Sequence, residues 1–438
     1  MLRCRVAVIR HKWVLATVAA VVVAACSGAG GAGGATTSSS SSSTSTIAPP
    51  GDDGTLVIGT VLPSGGSAPD LGVSLATGVQ LAVDQINAAG GVYGHHVEVV
   101  PRSEGDTPAS ALAAVQSLLA DGFRQPGSGI RFPIDAIIGP ASSTNVLATL
   151  AVTTRAGVLT CSPTASALSL DQFPDNGLFF RTVPSDSLQA AAIAQAVRAS
   201  GTTKAAVVYL DDAYGRPFAK EVERNMRLRS ITVQPTVAIS GTDESIAAAV
   251  KSIVAEHPPV VVVIADAVSG PAAIRAIDAA SSTSMQYFVN DAMRHPDASV
   301  PPFGASLGKN VHGLSPLAYP SETPFLTALH AVNPAAGGLF ATKAYDCVNL
   351  IALAAQAGAG TPGASIASFI SGVSTDGSPC DDFEQCNSVL SHHFTADYNG
   401  ADDHLSIDSN GNPSEAMFEP FSFDANGRDV GGTPRSYP

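Results

Sequence analysis

Basic residues are scarce in this chain. It has 23 Lys and Arg against 37 Asp and Glu, which gives a formal net charge of −14 over 438 residues. Such an acidic protein repels phosphate backbones, so we expect no nucleic acid among its partners. Aromatic side chains make up only 6% of the residues, which predicts a binding pocket with few large rings. Beyond residue 25, no apolar run has the length of a transmembrane helix.

Motifs for covalent or metal chemistry are also missing. The sequence has no phosphate-binding loop and no dinucleotide fingerprint. Gly304–Gly308 fits the Gly-x-Ser-x-Gly pattern of a nucleophile elbow, but two prolines precede it where a strand is needed, so we interpret it as a loop. A calcium loop counted from Ser406 has Met417 where the motif needs Glu. Asn410-Gly411 and Asn426-Gly427 are interpreted as hairpin turns. We expect no catalysis, no cofactor and no metal.

The first 25 residues read as an export signal. Four basic residues precede the apolar stretch Trp13–Val23, which is too short to span a bilayer comfortably. Val23-Ala24-Ala25-Cys26 looks like a bacterial lipobox, which implies that Cys26 becomes a lipidated N-terminus. An ordinary signal peptide with a chance cysteine is the alternative. Removal of residues 1–25 would bring the net charge to −18. Ser27–Pro50 is uncharged and rich in Gly, Ala, Ser and Thr, which predicts a flexible tether and favours lipidation.

The remaining cysteines are few, and the sequence around most of them indicates their bonding state. Cys380 and Cys386 bracket a short polar loop, and we predict a disulfide between them, worth about 2 kcal/mol by loop entropy. Zinc is the rival interpretation, but no second Cys or His pair stands at ligand spacing. Cys347 lies in a helical pattern and is expected to be a plain buried thiol. Pairing with Cys161 stays open.

Strand and helix patterns alternate along the chain. A predicted strand at Thr55–Leu62 is followed by a glycine loop, a helix with its apolar face at positions 75, 79, 82, 83 and 86, and a second strand at His96–Val100. Further strands are predicted at residues 205–210, 231–238 and 260–265, between helical stretches. About 385 residues follow the tether, enough for two lobes. The pattern indicates parallel α/β architecture, with ligands at the carboxyl ends of the strands.

Five segments carry a resemblance to a known family. They are Val79–Gly94 (VQLAVDQINAAGGVYG), Ile137–Ser143, Cys161–Ser166, Phe180–Asp186 and Val207–Gly215. In this order and spacing they resemble the type I periplasmic binding proteins of the branched-chain amino acid family. The resemblance covers about residues 55 to 350. It implies two Rossmann-like lobes with doubly wound parallel sheets, which close on a ligand like a flytrap.

Two serines are candidates for binding a ligand carboxylate. Ser142 and Ser143 follow the predicted strand Ala136–Gly139 and precede a helix. Free N–H groups and the helix dipole favour an anion at such a helix start. Capping of the helix by these serines is the alternative, and the two roles are compatible.

The resemblance extends the candidate site to both lobes. It implies that Thr164 and Ser166, in Ser162–Ser166, contribute to the ligand, although both could be capping residues. It also implies that Tyr214 closes over the ligand from the second lobe, and we expect this ring to be an exposed contact. Asp291 stands where the family places an acid for the ligand's ammonium group. Asp266 is the second choice for that acid, with a helix cap as the alternative role.

These observations together predict a substrate-binding protein of an ABC importer, lipid-anchored on the outer face of the membrane. Its expected partners are an amino acid or related small amide or carboxylate, and an ABC permease. The expected lobes are 55–182 with about 317–395, and 183–316 with about 396–438, joined by crossings at Phe180–Pro184 and near Gly313–Tyr319. A ligand-sensing lipoprotein and an extracytoplasmic hydrolase are the alternatives. The sequence offers no function for the segment 361–403.

Overall fold

The computed structural model describes residues 53–65, 69–294, 302–320, 323–358, 360–402 and 404–437. The predicted signal segment, the lipid site Cys26 and the tether up to residue 52 lie outside these residues.

The first lobe begins with alternating strands and helices. In chain order they are β1 (Val57–Leu62), α1 (Pro69–Ala88), β2 (Glu98–Ser103), α2 (Pro108–Asp121), β3 (Phe123–Arg124), β4 (Arg131–Phe132), β5 (Ala136–Ile138), α3 (Ser143–Ala156), β6 (Leu159–Ser162) and β7 (Phe179–Arg181). Five of the strands form a parallel sheet in the order β2-β1-β5-β6-β7. Helices cover both faces of this sheet, so β1 is buried at every position.

The second lobe repeats the pattern. Its elements are α4 (Asp186–Ala199), β8 (Lys204–Leu210), α5 (Gly215–Leu228), β9 (Thr232–Ile239), α6 (Asp243–Glu256), β10 (Val260–Ile264), α7 (Ser269–Ala280), β11 (Gln286–Val289), the short helix α8 (Ala305–Gly308) and β12 (Val311–Pro316). Strands β9-β8-β10-β11-β12 are parallel neighbours. Alternate residues of β10 enter two different cores, because helices lie on both faces of the sheet.

The rest of the chain completes both lobes. It forms α9 (Thr323–Val332), α10 (Ala341–Gly358), α11 (Gly363–Ala367), β13 (Ser378–Cys380), α12 (Phe383–Ser391), β14 (Ala396–Tyr398), β15 (Met417–Phe423), β16 (Asp429–Gly431) and β17 (Arg435–Ser436). Helix α10 is central to the first core, whereas β15 pairs antiparallel with β12 of the second sheet. The strand positions and the two-lobed α/β fold predicted from sequence are confirmed. The Gly-x-Ser-x-Gly segment forms the single turn α8 rather than a loop.

The chain stays in the first lobe longer than expected. Tyr398, Leu405 and Ile407 belong to the first core, beyond the boundary expected at about residue 396. Gly411, in the predicted Asn410-Gly411 turn, has φ +77°, and its carbonyl accepts the N–H of Arg181 at 2.9 Å. A Cβ at this glycine would lie 2.2 Å from the Phe179 carbonyl oxygen. The turn is therefore packed against β7 of the first lobe, and the second lobe resumes only near β15.

Helices α1 and α10 cross at very close range. A Cβ on Gly78 of α1 would lie 2.2 Å from the carbonyl oxygen of Ala341 at the start of α10. Only glycine permits this approach, because any side chain would meet backbone.

Two disulfides tie the first lobe together. Cys380–Cys386 forms as predicted, and Cys161 of β6 is joined to Cys347 of α10. The expectation that Cys347 is a free buried thiol is therefore wrong. Its helical pattern showed burial but not the partner, because the two residues are separated by 186 positions and meet only in the folded lobe.

Candidate functional site

The start of α3 carries the two serines predicted to meet a ligand carboxylate. Ser142 precedes the helix and is exposed, and its hydroxyl lies 2.8 Å from the Thr144 hydroxyl. Its side chain makes no capping bond to the helix. Ser143 begins the helix, and its Oγ accepts a hydrogen bond from the Ala167 N–H at 3.2 Å. The hydroxyl of Ser143 thus connects the helix start to the neighbouring loop.

A buried carboxylate already stands behind this helix start. Glu104 follows β2 and accepts the N–H groups of Ala141 at 2.7 Å and Ser142 at 3.0 Å, and the side-chain amide of Asn145 at 2.6 Å. Burial raises the pKa of Glu104, while these three donors lower it. Glu104 therefore takes up the donors nearest the preceding loop. The N–H groups of Ser143 and Thr144 belong to the first turn, which has no acceptor within a helix, so they are the ones suited to a ligand anion.

The loop after β6 is held against α3 by its own hydroxyls. Ser162 donates to the carbonyl of Pro140 at 2.7 Å, and Thr164 donates to the carbonyl of Ala141 at 2.8 Å. The hydroxyl of Thr164 is thus engaged in positioning the loop. Ser166, by contrast, has only 6% of its surface exposed, and its carbonyl accepts the N–H of Asp186 at 2.9 Å. This bond brings the loop to the first crossing between the lobes.

A buried arginine, Arg181, supports the loop that follows β6. Arg181 is fully buried, and its guanidinium donates to the carbonyls of Ala165 at 3.1 Å and Ala167 at 3.2 Å and to Asn412 Oδ1 at 2.9 Å. It also pairs with Asp171. Burial lowers the pKa of Arg181, and the negative charge of Asp171 opposes this shift. The guanidinium is therefore committed to shaping the loop around Ser166.

The centre of the cleft is a buried acid that sequence reasoning missed. Asp186, the first residue of α4, has no exposed surface. Among the described residues, neither of its carboxylate oxygens has a hydrogen-bond partner of good geometry. Burial, and then the negative charge of Asp291, raise the pKa of Asp186 well above the usual range; the Ser166 hydroxyl and Arg181 oppose the shift. A buried, unpaired carboxylate is costly, so the position calls for a cation or a proton.

Asp291 lies beside Asp186, and its role as the acid of a ligand site stays a prediction. Its Oδ1 accepts a hydrogen bond from the amide of Gln189 at 2.9 Å, and the same amide donates to the Leu314 carbonyl at 2.7 Å. Burial raises the pKa of Asp291, and the Gln189 hydrogen bond lowers it. The cleft therefore has two close carboxylates of raised pKa.

Tyr214 precedes α5 and joins the same cluster. Its hydroxyl oxygen accepts a hydrogen bond from the Asn290 amide at 3.2 Å. Burial, followed by the charges of Asp186 and Asp291, raises the pKa of Tyr214 well above the usual range, and a hydrogen bond with the Ser166 hydroxyl lowers it. The phenol is thus neutral and can donate to an anion or to a carbonyl of a ligand.

The ring of Tyr214 contacts both lobes. It packs edge-on against Phe218 of the second lobe, with ring centroids 5.7 Å apart, and against an apolar cluster of the first lobe that includes Leu170 and Phe179. The ring is half-buried between the lobes rather than an exposed contact. The sequence placed Tyr214 in the correct loop but could not show the first-lobe surface that covers it.

Asp266 stands apart from this cluster. It is exposed, and its Oδ1 accepts the N–H groups of Val268 at 2.8 Å and Ser269 at 2.6 Å. These bonds hold the start of α7, which is the alternative role considered for Asp266. Its use as an ammonium partner stays a prediction.

The structure brings together three of the seven residues predicted to bind the ligand and adds three others, and the ligand contacts of all of them stay a prediction. Ser166, Tyr214 and Asp291 meet around Asp186, and Gln189 and Asn290 orient the acid and the phenol. Asp186 was hidden in Pro184-Ser185-Asp186, a typical helix start in which an acid needs no further explanation. The feature that marks Asp186 as exceptional is its full burial, which is visible only in the structure. Gln189 reads as an ordinary polar position of a helix.

Within residues 53–437, gaps excepted, no helix combines the length and apolarity needed to cross a bilayer. In the same ranges, no three His, Cys, Asp or Glu side chains are grouped as metal ligands.

Comparison with known proteins identifies the family of the chain. A family model described as periplasmic binding protein matches residues 55–399. The Leu/Ile/Val-binding protein BraC3 of Rhizobium johnstonii is 29% identical over 209 residues, which are 47% of this chain and 53% of that protein. The chain thus matches about half the length of this curated relative.

Solved structures share the fold at low identity. The branched-chain amino acid transporter substrate binding protein LivJ from Streptococcus pneumoniae, in complex with isoleucine, has a TM-score of 0.65 and 21% identity, covering 87% of this chain and 99% of that one. A solute binding protein from R. palustris in complex with 4-hydroxybenzoate has a TM-score of 0.66 and 16% identity, covering 88% and 98%. The chain therefore belongs to the periplasmic binding proteins, as a type I member of the branched-chain amino acid family.

Proposed function

We propose that this protein captures an α-amino acid between its lobes and delivers it to an ABC permease. The observation that carries the proposal is Asp186, which is fully buried beside Asp291 and has no hydrogen-bond partner of good geometry among the described residues. An ammonium group placed between the two carboxylates would donate to both and offset one of their two negative charges, and a proton could offset the other; a ligand without a cation would leave both carboxylates to be protonated.

The remaining groups suit the other end of an amino acid. In this proposal the ligand carboxylate is bound by the N–H groups of Ser143 and Thr144 and by the hydroxyls of Ser142, Ser143 and Ser166. Tyr214 then closes over the ligand from the second lobe. Thr164 holds the loop in place, and we assign no ligand contact to Asp266.

The proposal also includes the location of the protein relative to the membrane. The family acts outside the cytoplasm, and the lipobox at Cys26 with its uncharged tether supports anchoring to the outer face of the membrane. The closed form would then present a surface made of both lobes to the permease. These assignments rest on sequence pattern and on the relatives.

A thermal-shift panel with the full-length protein in detergent tests the ligand class. Branched-chain and other amino acids, amides and aromatic acids are each added, and a ligand at a hundredfold its Kd stabilises by about 2.7 kcal/mol. We expect shifts with amino acids only. The Asp186→Asn variant should abolish them, since truncating one side of a buried charge pair costs about 2–5 kcal/mol.

Asp376→Asn is the matched control. Asp376 is exposed and has φ +56°, a conformation that Asn tolerates, and it lies outside the cleft. This variant should bind amino acids as the parent protein does. Shifts with aromatic acids but not with amino acids, unchanged or enhanced in Asp186→Asn, would overturn the assignment of Asp186 as an ammonium partner.

A further inference from the structure

A second concavity lies in the first lobe, outside the cleft. It has a volume of about 540 Å³, within the range typical of small-molecule sites. One side is formed by helices α1, α9 and α10, and the other by residues 381, 399–402 and 404. The second wall therefore comes from the segment around the Cys380–Cys386 bridge, for which the sequence offered no function.

The floor of this concavity is apolar and aromatic. Leu81, Ala328 and the rings of Phe325 and Tyr345 line it. The two rings pack edge-to-face with centroids 5.3 Å apart, and the Tyr345 hydroxyl donates to Gln85 at 2.6 Å. The faces and edges of such a pair are fixed, so they offer a preformed surface for an apolar or cationic group.

The rim is acidic. Asp381 and Asp402 line the concavity, and none of the described lining residues is Lys or Arg. Buried Asp346 lies behind them and accepts the Tyr398 hydroxyl at 2.7 Å. Burial raises the pKa of Tyr345, and the negative charges of Asp346 and Asp382 add to the shift. The local field thus favours a positive ligand.

Asp381 is held in place from two directions. It lies inside the Cys380–Cys386 loop, and its Oδ1 accepts the amide of Asn399 at 2.9 Å. The side-chain oxygen Oδ1 of Asn399 in turn lies 3.2 Å from His404 Nδ1. The backbone N–H of Asn399 also donates to the Cys380 carbonyl at 3.0 Å. A carboxylate fixed beside an aromatic floor binds a cation without first losing side-chain entropy.

We propose that this concavity is a second binding site, which takes a small organic cation on Phe325 and Tyr345 with Asp381 as its counter-charge. An aromatic surface attracts an ammonium group through the ring quadrupole, and a quaternary ammonium loses little hydration when it enters. The disulfide segment then has a function, to hold the acidic wall of this site.

Calorimetric titration of the full-length protein with two matched pairs of probes tests the site. Choline and benzylamine carry the charge, and 3,3-dimethyl-1-butanol and benzyl alcohol are their neutral counterparts. We expect the cations to bind and the alcohols not to bind. Asp381→Asn should weaken cation binding about fivefold, the size of one partly exposed charge contact. Phe325→Leu, at a half-buried ring, should weaken choline binding by a similar factor.

Two controls separate this site from the cleft. Asp376→Asn removes an exposed charge of the same segment and should leave cation binding unchanged. Asp186→Asn should also leave it unchanged, and Asp381→Asn should leave amino acid binding intact. Absence of binding by both cations, equal binding of the neutral probes, or loss of cation binding in Asp186→Asn would each overturn the proposal.

Discussion

Removal of the Cys161–Cys347 bridge should destabilise the protein about twice as much as removal of the Cys380–Cys386 bridge. The two bridges close loops of very different length, with separations of 186 and 6 residues. In the chain-entropy model, loops of these lengths are worth about 5 and about 2 kcal/mol. The paired variants Cys161→Ala with Cys347→Ala, and Cys380→Ala with Cys386→Ala, isolate the two contributions.

Scanning calorimetry measures the difference. For the roughly 385 residues after the tether, an unfolding entropy of about 0.8 kcal/mol/K turns these values into Tm losses of about 6 and 3 °C. Both bridges lie in the first lobe, so if the lobes unfold in separate transitions, only one transition should move. All four sulfurs are buried, so packing losses affect both pairs alike.

A Cys380–Cys386 bridge that stabilises the protein as much as the Cys161–Cys347 bridge, or more, would refute this prediction. That result would mean that the native-state contacts of the bridges, rather than the entropy of the unfolded chain, set their contributions. Titration with a reductant provides a second check, because the parent protein under reduction should approach the Tm of the combined variant.

Four further predictions follow from the site and the packing. Asp186→Asn should raise the stability of the ligand-free protein at pH 7 by about 1–3 kcal/mol, seen as a higher Tm, because it removes a buried charge. The pKa values of Asp186, Asp291 and Glu104 are raised in the folded protein. Above pH 4 the folded state therefore binds more protons than the unfolded state does. Ligand-free stability should therefore rise as the pH falls from 7 towards 5, and amino acid affinity should fall; Asp186→Asn should flatten both profiles. Cys26→Ser should release the protein from membranes into the medium, as fractionation would show. Gly78→Ala should lower the Tm despite a gain in helix propensity, whereas Gly372→Ala, where a Cβ meets nothing within 4 Å, should not.

The fold was accessible from sequence because its signals are local. The helix at Val79–Gly94 and the β-branched runs keep their period over many residues, so their elements appear close to the predicted places. Tyr214, Ser166 and Asp291 follow strands of parallel sheets, and the carboxyl ends of such strands converge. That geometry is enough to bring the three residues together without any knowledge of side-chain contacts.

The missed residues depend on contacts between distant parts of the chain. Asp186 looks like an ordinary helix start, and only its complete burial between two lobes makes it exceptional. Glu104 is a lone acid after a strand until the loop before α3 brings the N–H groups of Ala141 and Ser142 to it. The Cys161–Cys347 bridge could not be decided from the sequence either, because α10 returns to the first sheet only after the chain has passed through β8 to β12 of the second lobe. Local sequence patterns do not indicate such contacts between segments that are distant in the chain.

The interleaving of the lobes has a consequence for how the chain can fold during synthesis. Helix α10 fills the centre of the first core, and β15 extends the second sheet, so neither lobe can be completed from the residues that precede it. A chain released only as far as β12 would hold a first sheet without α10 against it and a second sheet without β15, so both cores would be unfinished. Neither lobe can therefore reach its final packing until nearly the last residues have emerged. Until then, fewer packing contacts oppose the unfolding that passage through a narrow channel would require.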